Sequence, residues 1–488
     1  MTYHFPKEFL WGVSSSSSQY EGGYNKDGKG LTVGDVITGG NKNTTRKITW
    51  RYKDSTEKHY SEVGGFWGKI SIPEDGVPCV FEDEFYPSHD ATKGYDYAIE
   101  DLEALHELGV SSYRMSISWA RIFPNGDDEV PNQAGLDFYK KLFEKCKEYH
   151  IQPIVTLFHY DLPLALTLKY GGWKNRKLID LYEHYAKTVM EEYKGLVHYW
   201  ITFNEINSVT VEAFKNAGML TEDESDRWQA AHNELLASAK AVKIAHEIDP
   251  NNKIGCMVAY TIGYAKTCDP QDKWEEYIRS REYNFYLSVQ CKGLYPSYKL
   301  QEYKQKNLQL DIRKEDFEIF KEGCVDYISF SYYATGVISK KEMDEGNLMG
   351  PPNPFLKKTA WGWSIDPTGL RLSLNQIYDT YHKPIMIVEN GIGCEDKVEE
   401  DGHIHDSYRI DYLQAHIQEI DKAMYEDGIK VIGYNLWANV DFVSLGTGEV
   451  KKRYGLIYVD INDEKQGDFH RIKKDSYYWY KKFIEGVK

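Results

Sequence analysis

At 488 residues, 41% hydrophobic and 14% aromatic, the chain has enough apolar material to bury a large core and too little polar bias for disorder. A formal net charge of −16 argues against nucleic acid or an anionic membrane surface as a general partner, so any anion site has to be local. Seven scattered cysteines with no C-x-x-C pair predict free thiols in a reducing, cytoplasmic compartment, and no window approaches the roughly 18 consecutive apolar residues of a membrane helix.

The opening run "MTYHFPKEFLWGVSSSSSQYEGG" lacks the basic segment and apolar stretch of a secretory signal, and the sequon at Asn43 is accordingly expected to stay unmodified. In chain order, eight short apolar or β-branched runs predict strands: "LWGVSS", "SSYRMSIS", "QPIVTLF", "YWITFN", "KIGCMVA", "DYISFSY", "KPIMIVEN" and "VIGYNLW". Segments of helical period separate them, among them "YDYAIEDLEALHELG", "GLDFYKKLFEKCKEYH", "RKLIDLYEHYAKTVMEEY", "AAHNELLASAKAVKIAHEI" and "RIDYLQAHIQEIDKAMYEDG". The alternation predicts an α/β fold, a single (β/α)8 TIM barrel with elaborated βα loops, as one catalytic domain over 1–488. The largest insertion, at about 35–87, follows the first strand and reads as a loop rich in Gly, Lys, Thr and Glu.

In such a barrel the chemistry gathers at the C-terminal ends of the strands. The fourth run ends "YWITFNEIN", placing Asn204 and Glu205 there, and the seventh ends "PIMIVENGIG", placing Glu389 there. Taken alone, a Glu after a strand reads as a loop or cap residue; two on strands 4 and 7 aim at one cavity. Facing carboxylates about 5 to 5.5 Å apart serve a retaining glycosidase, one as nucleophile and the other as acid and then base. Arg114 in "YRMSIS" is placed to keep Glu389 charged, or to act as a structural arginine.

In order, "FLWGVSSSSSQYEGG", "YRMSISWARIFPNG", "LFHYDLP", "YWITFNEIN" and "MIVENGIG" resemble the motifs of glycoside hydrolase family 1, the β-glucosidase-like (β/α)8 barrels, from about Phe5 to the end. The resemblance implies Glu205 as acid/base and Glu389 as nucleophile, with Asn204 holding the sugar 2-hydroxyl. It implies Gln19 and His159 on other hydroxyls, Trp437 beneath the sugar, and Arg114 and Tyr333 orienting the nucleophile. Trp361 and Trp363 in "AWGWSIDP" are expected to stack on the aglycone or to pack in the core. One departure concerns "FSYY", where Ser331 stands in place of the amide of many members, and another the helix "KGYDYAIEDLEAL", expected to matter for stability alone.

The stretch after the last strand carries the substrate question. Sugar-only relatives resemble "W-S-L-L-D-N-F-E-W" there, with a Glu on the 4- and 6-hydroxyls, whereas this chain reads "WANVDFVSL" from Trp437, with Ser444 at the Glu position and Leu445 after it. Losing that carboxylate removes repulsion toward a 6-phosphate, which carries about −1.5 to −2 at neutral pH. Lys452 and Tyr454 in "SLGTGEVKKRYG" add a cation and a phenolic donor, and with Ser444 they resemble the phosphate loop of the family's 6-phosphoglycosidases. Lys451 and Arg453 receive no role. The loop lacks the spacing of a Walker A motif, no G-x-G-x-x-G opens a helix, and His403 and His405 in "DGHIHD" read as a helix-start loop, so no cofactor or metal is expected.

The expected reaction is retaining hydrolysis of a 6-phospho-β-glucoside to glucose 6-phosphate and an aglycone. A 6-phospho-β-galactosidase, a plain β-glucosidase and a non-catalytic sugar-phosphate-binding barrel stay open, although Leu445, where phosphogalactosidases carry Trp, favours the glucoside. The oligomeric state is left open.

Overall fold

The computed structural model of the protein describes residues 3–41, 43–65, 68–344, 350–351 and 353–487. All eight expected strands form: β1 Leu10–Ser14, β2 Ser112–Ser116, β3 Gln152–Phe158, β4 Tyr199–Phe203, β5 Lys253–Ala259, β6 Tyr327–Ser331, β7 Ile385–Glu389 and β8 Val431–Trp437. They pair in parallel and in chain order, and β1 closes the barrel between β8 and β2, with Gly12 opposite both Asn435 and Ser112.

One principal helix follows each strand: α1 Gly94–Leu108, α2 Gln133–Glu148, α3 Lys177–Glu192, α4 Glu224–Ile248, α5 Pro270–Lys292, α6 Pro367–Tyr381, α7 Ser407–Tyr425 and α8 Asp475–Val487. On α1 the buried residues Ala98, Leu102 and Leu105 recur at helical spacing and lay one apolar stripe on the strands, whereas α4 is buried all round from Gln229 to Ala239. α1 also carries Asp101, which accepts from Tyr20 Oη at 2.7 Å and from Arg471, so this helix reaches the loop that bears Gln19 as well as serving stability. Inside the barrel, Ile154, Ile201, Met257, Tyr327, Met386 and Val388 form a separate apolar cluster. Above it the inward positions turn polar, which raises the site onto a packed floor.

The insertion at 35–87 departs from the expected loop. Lys47–Tyr52 pairs with His59–Glu62 and with Gly76–Pro78 in a three-stranded antiparallel sheet; positions 42, 66 and 67 of the insertion lie outside the described residues. "KITWRY" is a run of β-branched and aromatic residues, the composition that suits a half-buried sheet face, and Ile48, Thr49 and Trp50 are buried. Arg46, just before this strand, donates from Nη1 to the Leu445 carbonyl at 2.8 Å and from Nε to the Thr38 carbonyl at 2.9 Å. The insertion is thereby fastened to the loop after β8.

Gly12 shows how tightly the barrel closes. A Cβ there would lie 2.0 Å from Asn435 Oδ1 and 2.6 Å from the Ser112 carbonyl oxygen. Gly12→Ala should destabilise the protein by about 1–3 kcal/mol through overpacking, read as a lower thermal midpoint, whereas Gly486→Ala, in open space on α8, should leave it unchanged. Equal midpoints for the two variants would contradict this packing.

Candidate active site

Glu389 closes β7, and Glu205 stands two residues beyond β4. Between them lies Arg114 on β2, wholly buried. Its Nη1 donates to Glu389 Oε1 at 2.5 Å, its Nη2 to Asn204 Oδ1 at 2.6 Å, and its Nε to Thr156 Oγ1 at 2.9 Å. Tyr333 Oη donates to the other oxygen of Glu389 at 2.8 Å. Glu205 receives Tyr160 Oη at 2.6 Å on Oε2 and a short hydrogen bond from Ser331 Oγ on Oε1. Ser331 and Tyr333 are two residues apart at the end of β6, and one strand end therefore holds both carboxyl groups. Tyr160 and Glu205 both lie in the left-handed backbone region, at φ 63° and 36°, which costs non-glycine residues energy and recurs where a side chain must be aimed.

Burial, the largest influence, pushes the Glu389 carboxyl up to about 7; Arg114 and the Tyr333 hydrogen bond oppose the rise, and the charge of Glu205 adds to it. Arg114 is thus the cation expected beside Glu389, but burial outweighs it. The mutual repulsion of the two carboxylates lets the cleft retain a proton near neutral pH.

Around this pair sit the other expected residues. Gln19 is buried, accepting from Ser16 Oγ at 2.9 Å and donating to the Val443 carbonyl at 2.8 Å. His159 is buried with Nδ1 unpartnered among the described residues, and burial, then Arg114, holds its imidazole well below the usual range and so uncharged. Its ring centroid stands 6.2 Å from that of Trp437, the last residue of β8. A neutral ring with a spare nitrogen and an amide aimed by Arg114 suit sugar hydroxyls better than charged ligands.

The loop after β8 is held by backbone pairing to the loop after β7: Cys394 N–H donates to the Arg453 carbonyl at 3.0 Å, and Arg453 N–H to the Cys394 carbonyl at 2.9 Å. Just before this bridge the chain bends at Lys451 and Lys452, and the Arg453 N–H also reaches the Lys451 carbonyl at 3.0 Å, so neighbouring side chains leave the turn on different sides. Arg453 turns inward, onto Asp441 Oδ2 at 3.0 Å and the carbonyls of Val459 and Ile461; Lys451 meets Glu449 at 3.1 Å. Lys452 and Tyr454 face the other way, over Gly393. A Cβ on Gly393 would lie 2.7 Å from Tyr454 Cζ and 3.0 Å from Lys452 Cε, so a side chain there would displace both. Neither the Lys452 ammonium nor the Tyr454 hydroxyl has a hydrogen-bond or ion-pair partner among the described residues. Burial lowers Lys452 to about 8, with Glu449 opposing. Ser444 is buried nearby in sequence, its hydroxyl accepting the Thr447 N–H at 3.5 Å.

The sequence model of glycosyl hydrolase family 1 matches residues 1–64 and 82–488. The chain belongs to this family. Along its length it is 41% identical to the 6-phospho-beta-glucosidase AscB of Escherichia coli (strain K12), over 98% of each chain. It is 43% identical to the aryl-phospho-beta-D-glucosidase BglH of Bacillus subtilis (strain 168), over 98% of this chain and 97% of that one. Among solved structures, the beta-glucosidase from Thermotoga maritima in complex with glucoimidazole superposes with a TM-score of 0.81 at 30% identity, covering 99% of both chains. The chain is therefore a glycoside hydrolase.

Within the family-1 frame, two contacts escape the sequence. Ser331 reads as the loss of an amide, yet its hydroxyl takes up Glu205; Tyr160, beside His159 in "LFHYDLP", supplies the second donor. An aromatic hydroxyl next to a strand-3 histidine was the available signal. Trp363, expected on the aglycone, packs at 5.5 Å from Tyr333 with the Lys452 ammonium 4.1 Å over its ring. His405 bridges Asp475 at 2.6 Å and Asp401 at 3.0 Å on the surface at the start of α7, in keeping with a helix-start loop. Among the described residues one trio has metal-ligand spacing, Asp460, Asp468 and His470, where His470 Nδ1 already meets Asp468 at 2.5 Å.

The coupling of the carboxyl groups predicts a pH effect. If Glu389 is the nucleophile it must be deprotonated to attack, so kcat/KM should fall as pH drops below about 7. Glu205→Gln removes the neighbouring negative charge and should move that acid limb to lower pH. The measurement uses a dinitrophenyl glycoside, whose departure needs no proton; an unmoved limb would show that Glu205 does not act on Glu389.

Proposed function

We propose that the chain, acting as one catalytic unit over 1–488, is a retaining 6-phospho-β-glucosidase that releases glucose 6-phosphate. The observation that carries the reading is the pair of donors on Lys452 and Tyr454, unengaged among the described residues and turned to one side of the loop after β8, the same loop in whose sequence Ser444 stands in place of a carboxylate. A dianionic 6-phosphate would receive a point charge and two hydroxyl donors there. The names of AscB and BglH support a phosphorylated β-glucoside, and Leu445 supports gluco over galacto.

The chemistry proceeds in two displacements. Glu389, oriented by Arg114 and Tyr333, attacks the anomeric carbon, while Glu205 gives its proton to the leaving oxygen. Glu205 then takes a proton from water, which attacks the anomeric carbon and frees Glu389. Asn204, held by the same Arg114, binds the 2-hydroxyl; Gln19 and His159 bind further hydroxyls, and Trp437 lies beneath the ring. Two carboxyl groups complete the cycle, so the reaction as written needs neither metal nor cofactor. No helix among the described residues is long and apolar enough to cross a membrane. We place the reaction in the cytoplasm, where a dianionic sugar is retained and free cysteines stay reduced.

The test is the rate on 4-nitrophenyl β-glucoside 6-phosphate against that on 4-nitrophenyl β-glucoside. The phosphorylated substrate should be strongly preferred, and Lys452→Ala should raise its KM by the equivalent of about 2–5 kcal/mol. Equal rates on the two substrates, or an unchanged KM in the variant, would refute the phosphate reading.

A further inference from the structure

Lys452 stands in a box of aromatic rings. Its ammonium lies 4.1 Å from the ring centroid of Trp363, 5.3 Å from that of Trp361 and 5.6 Å from that of Tyr454. The residue is 6% exposed, and the carboxylate in its own loop, Glu449, meets Lys451 at 3.1 Å. A buried ammonium with no carboxylate in ion-pair reach among the described residues is costly, although the charge of Glu449 acts on it from farther off. Ring faces offset part of that cost through their negative potential, most strongly for tryptophan, and leave the N–H donors unspent.

We propose that Trp363 is a positioning residue for the phosphate lysine: its indole face holds the Lys452 ammonium in place before substrate arrives, so that the 6-phosphate meets a cation already placed and not ion-paired to a carboxylate. The proposal rests on the reading of Lys452 as phosphate ligand and adds what sets its position. A lysine paired with Asp or Glu would have to give up that partner before taking the phosphate, whereas a ring-held lysine loses little. Trp363 thereby contributes to selection of phosphorylated substrate without touching the phosphate, a role different from the aglycone platform its place after β6 suggests.

The two roles separate cleanly when two substrates share an aglycone. With 4-nitrophenyl β-glucoside and its 6-phosphate, Trp363→Leu should lower the ratio of kcat/KM values, phosphorylated over neutral, by about 5- to 30-fold, the range of a desolvated cation–π contact. The loss should lie in KM for the phosphorylated substrate, and Trp363→Phe, which keeps a ring face, should restore part of the ratio. In a Lys452→Met background Trp363→Leu should leave the ratio where Lys452→Met alone puts it. If both substrates lose equally in Trp363→Leu, with the ratio preserved, Trp363 is an aglycone platform and the proposal fails. If Lys452→Met itself preserves the ratio, the phosphate reading of Lys452 fails and takes this inference with it; a collapse in Lys452→Met with no change in Trp363→Leu overturns the positioning role alone.

Discussion

The site is organised around one buried charge. Arg114 lies at 0% exposure inside the barrel, and a guanidinium taken out of water is stable only when its donors are met. They are met by Thr156 on β3, Asn204 after β4, Met257 Sδ on β5 at 3.3 Å and Glu389 on β7. Four strands are thereby drawn to one cation from a fifth. The two residues proposed to act on the sugar's reacting carbon and on its 2-hydroxyl, Glu389 and Asn204, share this anchor, so their relative placement follows from satisfying the charge. Glu205 is held separately, by hydroxyls from β6 and from the loop after β3. Charged anchoring on one side and neutral hydroxyl donors on the other give the two carboxyl groups different surroundings, the difference that the proposed division into nucleophile and acid/base calls for.

The second half of the site solves an opposite problem, how to keep a cation available in a protein of net charge −16. The bend at 451–452, closed by the Arg453 N–H on the Lys451 carbonyl, does this by sending successive side chains to different sides. Arg453 is committed to Asp441 and two carbonyls, Lys451 to Glu449, and these commitments fix the backbone while leaving Lys452 and Tyr454 turned toward the space that Gly393 keeps clear. Arg46, just before the insertion sheet, holds the Leu445 carbonyl. The loop's structural residues and its free donors are therefore different residues of the same basic run.

Much of this was legible in the sequence, for a physical reason. Each barrel strand is short and buried on both faces, which leaves a continuous apolar run, and both carboxylates sit where such a run stops. The proposed phosphate loop is suggested in the sequence by a substitution, Ser444 for a carboxylate, with Lys452 and Tyr454 in step. What escaped depends on pairing across long stretches of chain. Ser331 reaches Glu205 from another strand end, 126 residues away, and a lone serine carries no periodic signal. The insertion sheet hid within a polar segment, although "KITWRY" has strand composition. The place of Trp363 beside Lys452 is a contact between the loops after β6 and β8, which no local pattern encodes.

The account stands most directly on one covalent event. Incubation with a 2-deoxy-2-fluoro-β-glucosyl fluoride carrying a 6-phosphate should trap the glycosyl-enzyme, and peptide mass spectrometry should find the sugar phosphate on Glu389, with far slower labelling by the same reagent lacking the phosphate. Labelling at another residue, or equal labelling by both reagents, would contradict it.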